Sequence, residues 1–168
     1  MLGISKSTGG WIAFLESDDF FAPNNLVKKI EVIEKNPTVK LIFNKVAFLN
    51  ETEKGEKREQ DLDKTQKKLS KMNFPRDMFY DFYINNMILT FSSVMIEANI
   101  LKKADFNTPS DTLLDWWLWI HLAYENDFYY GAFIFFYVFE PIIRSEFCSR
   151  IPKPSRSCEC TSTHTSFA

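Results

Sequence analysis

The chain has 168 residues, 45% of them apolar and 25% charged, which excludes wholesale disorder and fibrous repeats and is the size of one domain with a sizeable core. Lys and Arg total 20 against 22 Asp and Glu, a net charge of −2, so no general field draws the chain to nucleic acid and no nucleic-acid partner is expected. The cysteines, Cys148, Cys158 and Cys160, fall in the last stretch, which excludes a disulfide scaffold for the body.

In chain order, Trp11-Ile12-Ala13-Phe14-Leu15 is a continuous apolar run between Gly9-Gly10 and Glu16-Ser17-Asp18-Asp19. That pattern reads as a strand of the parallel type, buried on both faces. Pro23 opens a helix in which Leu26, Ile30 and Ile33 recur at helical spacing, with Lys28, Lys29, Glu31 and Glu34 expected to face outward until Asn36-Pro37 ends it. Residues 39–49 are β-branched and aromatic, so strand, helix and strand follow one another as in a covered α/β sheet. The almost wholly polar stretch 51–71 is expected to be an exposed insertion or a solvated helix.

Phe79, Phe82, Tyr83 and Met87 suggest a partly buried helix, and 88–96 reads as a strand interrupted at Ser92-Ser93. A helix from Asp111 to Tyr124, capped by Ser110, precedes a very apolar strand or strand pair over 128–143. The longest apolar run, 128–139, falls short of the roughly 20 residues that span a bilayer, and the start shows no secretory pattern. Beyond Arg144 hydrophobic periodicity disappears, so 1–146 is taken as the domain and 147–168 as a disordered tail.

Chemistry is concentrated first in Glu16-Ser17-Asp18-Asp19, carboxylates just past the carboxyl end of an expected strand, where open α/β sheets bind ligands. Carboxylates packed this closely repel one another unless a cation sits among them, and oxygen ligands suit Mg²⁺ or Mn²⁺ shared with substrate phosphates. The other reading is a solvated turn whose charge favours the N-terminus of the next helix.

The stretch Gly3-Ile4-Ser5-Lys6-Ser7-Thr8-Gly9-Gly10-Trp11-Ile12-Ala13-Phe14-Leu15-Glu16-Ser17-Asp18-Asp19-Phe20-Phe21-Ala22-Pro23 closely resembles the family 2 glycosyltransferases. In that family a helix feeds the strand and aspartate motif that hold a nucleotide sugar. The resemblance implies an α/β fold of incomplete GT-A type, Rossmann-like, with a mixed sheet flanked by helices. It implies that Asp19 ligates Mn²⁺ or Mg²⁺ and that Asp18 helps to hold the metal or the donor's ribose. Glu16 stands where the family commonly has Asp.

Downstream, Thr90-Phe91-Ser92-Ser93-Val94-Met95-Ile96, followed by 100–107, is similar to the family's acceptor-side strand and turn. Leu113-Leu114-Asp115-Trp116-Trp117-Leu118-Trp119-Ile120-His121-Leu122 is similar to its acidic helix, with Asp115 on the aspartate that serves as general base in inverting members. Leu114, Trp117 and His121 depart from that pattern. An Asp near a helix start is kept ionised by the dipole and so suits proton abstraction; an ordinary first-turn acid is the other reading, and Asp111 competes for the role. His121 reads as a satisfied packing residue, and Trp116, Trp117 and Trp119 as core before they read as a sugar platform. Phe139-Glu140-Pro141-Ile142-Ile143-Arg144 resembles a late strand of the family. Glu146 replaces a His there, so a phosphate contact rests on Arg144 alone. Cys158, Cys160, His164 and Cys148 match no common zinc spacing.

In the family a nucleotide-binding half precedes the aspartate motif, and only a few residues precede it here, so an N-terminally truncated member is expected. The implied partners are a nucleotide-sugar donor and a glycan or lipid-linked acceptor. The implied location is the cytoplasm, with peripheral contact at the inner face of the membrane. Two functions stand at this point: inverting transfer of a sugar from a nucleoside diphosphate to a hydroxyl, or a catalytically silent remnant kept as an interaction module.

Overall fold

The computed structural model describes residues 2–17, 19–48, 63–108 and 114–137. Short helix α1 (Leu2–Lys6) leads through the Gly9-Gly10 bend into β1 (Trp11–Ala13) and, after the acidic loop, β2 (Asp19–Phe20). Then come α2 (Asn25–Lys35), β3 (Val39–Phe48), α3 (63–69) and α4 (Phe79–Ile84). A 3-10 turn (Phe91–Ser93), β4 (Val94–Glu97), α5 (Ala98–Lys103), α6 (Leu114–Glu125) and β5 (Asp127–Tyr137) complete the order.

The strands form one mixed sheet in the order β1-β4-β3-β5-β2. Long, β-branched and aromatic β3 and β5 pair in parallel at its centre, while β4 is antiparallel to both β3 and β1. It follows that β1, β3 and β5 all run the same way and that their carboxyl ends share one edge of the sheet. A mixed sheet flanked by helices is the α/β architecture expected from the sequence.

The ring-rich composition goes into the core: Trp119, Phe43, Phe82 and Phe128 are fully buried. Edge-to-face contacts join Phe82 to Phe43 at 6.1 Å and to Phe128 at 5.5 Å, an arrangement in which ring edges meet ring faces. Ile96 is also fully buried, paired with Ile12 on one side and Leu41 on the other. An Ile96→Val variant is expected to lose about 0.5–1.5 kcal/mol, read by urea melts, because one methyl is removed where strands on both sides prevent collapse.

Several expectations need correction. The run 11–15 is not a doubly buried parallel strand: β1 is three residues long, pairs antiparallel with β4, and ends at the exposed Ala13, with Leu15 54% exposed. The physical reason is position, since β1 is the last strand on its side of the described sheet and is flanked by one neighbour only.

The inward face of α2 is also rotated from the one that hydrophobic spacing predicts. Asn25 and Lys29 are buried, whereas Leu26, Val27 and Ile30 are exposed. The end of the polar stretch is not wholly solvated, because α3 buries Leu69 and Gln66, whose amide donates to the Val46 carbonyl at 3.0 Å. His121 is exposed rather than packed in the core, and stacks on Trp117 with its Nδ1 donating to the Trp117 carbonyl at 2.8 Å. The Ser110 cap, Asp111 and the 147–168 tail lie outside the described residues. Among the described residues no helix is long and apolar enough to cross a membrane.

Candidate active site

After β1 the chain crosses the carboxyl ends of β3 and β5 to reach β2, which pairs with Phe136 and Tyr137 at the far end of β5. The acidic loop therefore lies across the edge at which α/β sheets bind ligands. It is tied down there by the segment before β4. The Glu16 backbone N–H donates to Ser92 Oγ at 2.7 Å. The Thr90 hydroxyl meets Glu16 Oε2 in a hydrogen bond and lies 3.1 Å from Asp19 Oδ2.

Local chemistry explains why Thr90 can do this. Its oxygen caps the 3-10 turn by accepting from the Ser92 N–H at 3.2 Å, which aims the hydroxyl away from the turn and toward the loop. The Ser93 hydroxyl donates to the Thr90 carbonyl at 2.8 Å and tightens the same turn. Below it, Lys29 Nζ donates to the Ser93 carbonyl at 3.0 Å and sits 5.9 Å from the Phe21 ring centre. Desolvation by burial lowers the Lys29 pKa from 10.5 to about 7.

Two carboxylate oxygens thus converge on a hydroxyl that has one hydrogen to give. The shared hydrogen leaves negative charge concentrated between Glu16 and Asp19, and the donor set of carboxylate and hydroxyl oxygens fits a hard divalent cation. Mg²⁺ and similar ions are commonly held by one or two carboxylates together with substrate phosphates and water, so the residues present fit such a group. Among the described residues no group of three or more His, Cys, Asp and Glu side chains is placed to hold a metal. Asp18 lies outside the described residues, as does Arg144.

Asp115 occupies the first turn of α6. Asn86 Nδ2 donates to its Oδ2 at 3.1 Å, while Asn86 Oδ1 accepts from the Ile88 N–H at 3.1 Å. The second bond decides which way the amide faces, so its NH₂ is the end presented to Asp115. Trp116 Nε1 donates to the Phe82 carbonyl at 2.6 Å, and Trp119 packs its ring on Phe91 at 4.9 Å. The first contact ties the start of α6 to α4, and the second packs the middle of α6 against Phe91, the neighbour of Thr90.

The structure therefore attaches Asp19, Glu16 and Asp115 to one stretch of chain. Asn86 holds Asp115 and Thr90, four residues on, holds Glu16 and Asp19. A fully extended chain covers at most about 14 Å over those four steps. Thr90, Ser92, Asn86 and Lys29 carry no functional assignment from the sequence. A Thr followed by Ser-Ser signals a capped turn, but nothing local reveals that its partners are 71 and 74 residues away.

A model of glycosyl transferase family 2 matches residues 1–103, a range that contains the acidic loop and Thr90 and ends before Asp115. A protein of Haemophilus influenzae described as an uncharacterized glycosyltransferase is 38% identical over 52 residues. That stretch is 30% of this chain and spans 18% of the relative's length. With the family model covering residues 1–103 of 168, on a mixed sheet whose acidic loop crosses its carboxyl edge, the chain belongs to glycosyl transferase family 2.

Proposed function

We propose that the chain acts in transfer of a sugar from a nucleoside-diphosphate donor to a hydroxyl of a glycan or lipid-linked acceptor, with inversion at the sugar carbon. The observation that carries this reading is the meeting of Glu16 and Asp19 on the Thr90 hydroxyl at the carboxyl edge of β3 and β5. In it Asp19, with Asp18, holds Mn²⁺ or Mg²⁺, and Arg144 contacts donor phosphate. The bound cation supplies charge neutralisation to the departing diphosphate.

The remaining work falls to the chain's own groups. In an inverting transfer the acceptor hydroxyl attacks opposite the diphosphate and must lose its proton as it does so. Asp115 takes that proton. Asn86 Nδ2 occupies one of its carboxylate oxygens and so orients the other.

Calorimetry tests the donor half of the proposal. The chain is expected to bind uridine or guanosine diphosphate more tightly when Mn²⁺ is present, and Asp19→Ala is expected to abolish that enhancement. Identical metal-dependent binding by wild type and variant would remove Asp19 from the site, and no nucleotide binding with or without Mn²⁺ would favour an interaction module.

A further inference from the structure

We infer that Thr90 is a positioning residue whose side-chain hydroxyl, with Ser92, holds the Glu16–Asp19 loop in its cation-binding shape. The inference rests on the proposal that this loop takes a divalent cation.

Within the loop the Asp19 backbone N–H donates to the Glu16 carbonyl at 3.2 Å, and the turn before β4 adds side-chain anchors to that bond. The loop joins a three-residue edge strand to a two-residue one, and these strands lie on opposite sides of the sheet. Strands this short contribute few ladder hydrogen bonds, so the crossing between them needs side-chain anchors. The turn before β4 provides three contacts at once: Ser92 Oγ to the Glu16 backbone, and the Thr90 hydroxyl to the Glu16 and Asp19 carboxylates.

The turn is itself rigid and buried. Thr90 is 6% exposed, Ser92 and Ser93 are still more buried, and β4 continues directly into the core at Val94. The Lys29 ammonium on the Ser93 carbonyl anchors it from the α2 side. A hydroxyl placed between two carboxylates also screens their repulsion until a cation arrives, so the loop is assembled before it binds. Groups that orient metal ligands in this way commonly change affinity by 10- to 100-fold when removed.

Mn²⁺ titrations of the whole chain, followed by electron paramagnetic resonance of the free ion, test this without any turnover. Thr90→Val keeps the shape and loses the hydroxyl, and is expected to weaken Mn²⁺ binding about tenfold or more. Thr90→Ser restores the hydroxyl and is expected to stay within about threefold of wild type, a rescue that a purely packing role for the threonine would not produce. Should Thr90→Val fail to fold, Ser92→Ala provides the second reading, since it frees the Glu16 backbone while leaving the Thr90 cap; weakened Mn²⁺ binding is again expected. Wild-type affinity in a folded Thr90→Val or Ser92→Ala variant, or failure of Thr90→Ser to rescue, overturns the positioning role while leaving the cation site standing. Absence of Mn²⁺ binding in wild type overturns the cation site and the positioning role together.

Discussion

Asp115→Asn is expected to lower release of nucleoside diphosphate from a nucleotide sugar by about 10²- to 10⁴-fold, the usual contribution of a positioned general base. The substitution is nearly isosteric. An Asn oxygen at the same place still accepts from Asn86 Nδ2, so the start of α6 keeps its contact and the change removes basicity rather than structure. Donor affinity is expected to be unchanged, because the carboxylate is proposed to act on the acceptor hydroxyl and not on the diphosphate. The loss should therefore appear in turnover at saturating donor. Chromatographic assay of nucleoside diphosphate release, beside calorimetric donor binding, separates these quantities. Unimpaired turnover would exclude Asp115 as the base, and a loss confined to donor binding would move it to the donor side.

The second large effect concerns pH. Lys29 is fully buried on α2, and its pKa falls to about 7 because leaving water disfavours the ammonium more than the Ser93 carbonyl compensates. Below that value folded and unfolded chains both carry the proton, and the fold bears the full cost of the buried charge. Between about 7 and the ordinary 10.5 the unfolded chain binds more protons than the folded one, so stability rises with pH. The slope reaches up to about 1.4 kcal/mol per pH unit. Burial raises the Tyr130 pKa above 10.0, so that group works in the opposite direction from about pH 10 upward, where the unfolded chain gives up its proton first, and leaves the pH range below that clear. Urea melts at pH 6.5, 8 and 9.5 are expected to show the rise in wild type and a flattened profile in Lys29→Met, which keeps an apolar stem and removes the charge. Parallel profiles would show that Lys29 carries its charge at ordinary cost.

The exposure of Leu26 and Ile30 beside the burial of Lys29 shows where periodicity misleads. Hydropathy assigns a helix face by counting apolar residues. The choice in α2 depends on what the sheet offers, which here includes the Ser93 carbonyl and the Phe21 ring, partners for an ammonium. The run 11–15 misled for a related reason: apolar residues report burial by some neighbour but not how many strands flank them, and β1 has one.

Much of the fold was legible in the chain alone. Alternating strand and helix patterns, the Pro23 and Asn36-Pro37 boundaries and the continuous apolar runs at β3 and β5 specify a covered α/β sheet, because each is a local consequence of side-chain periodicity and backbone preference. The acidic cluster and its place after a strand were legible for the same reason. What only the tertiary structure decided is which groups meet. That Thr90 bridges Glu16 and Asp19, that Asn86 turns its amide to Asp115, and that Lys29 lies under the same turn are long-range pairings separated by 74, 71, 29 and 64 residues. Sequence patterns carry the period of one element at a time; contacts such as these arise only when the elements pack, which brings the 86–93 segment against the acidic loop at Thr90 and Ser92 and against Asp115 at Asn86.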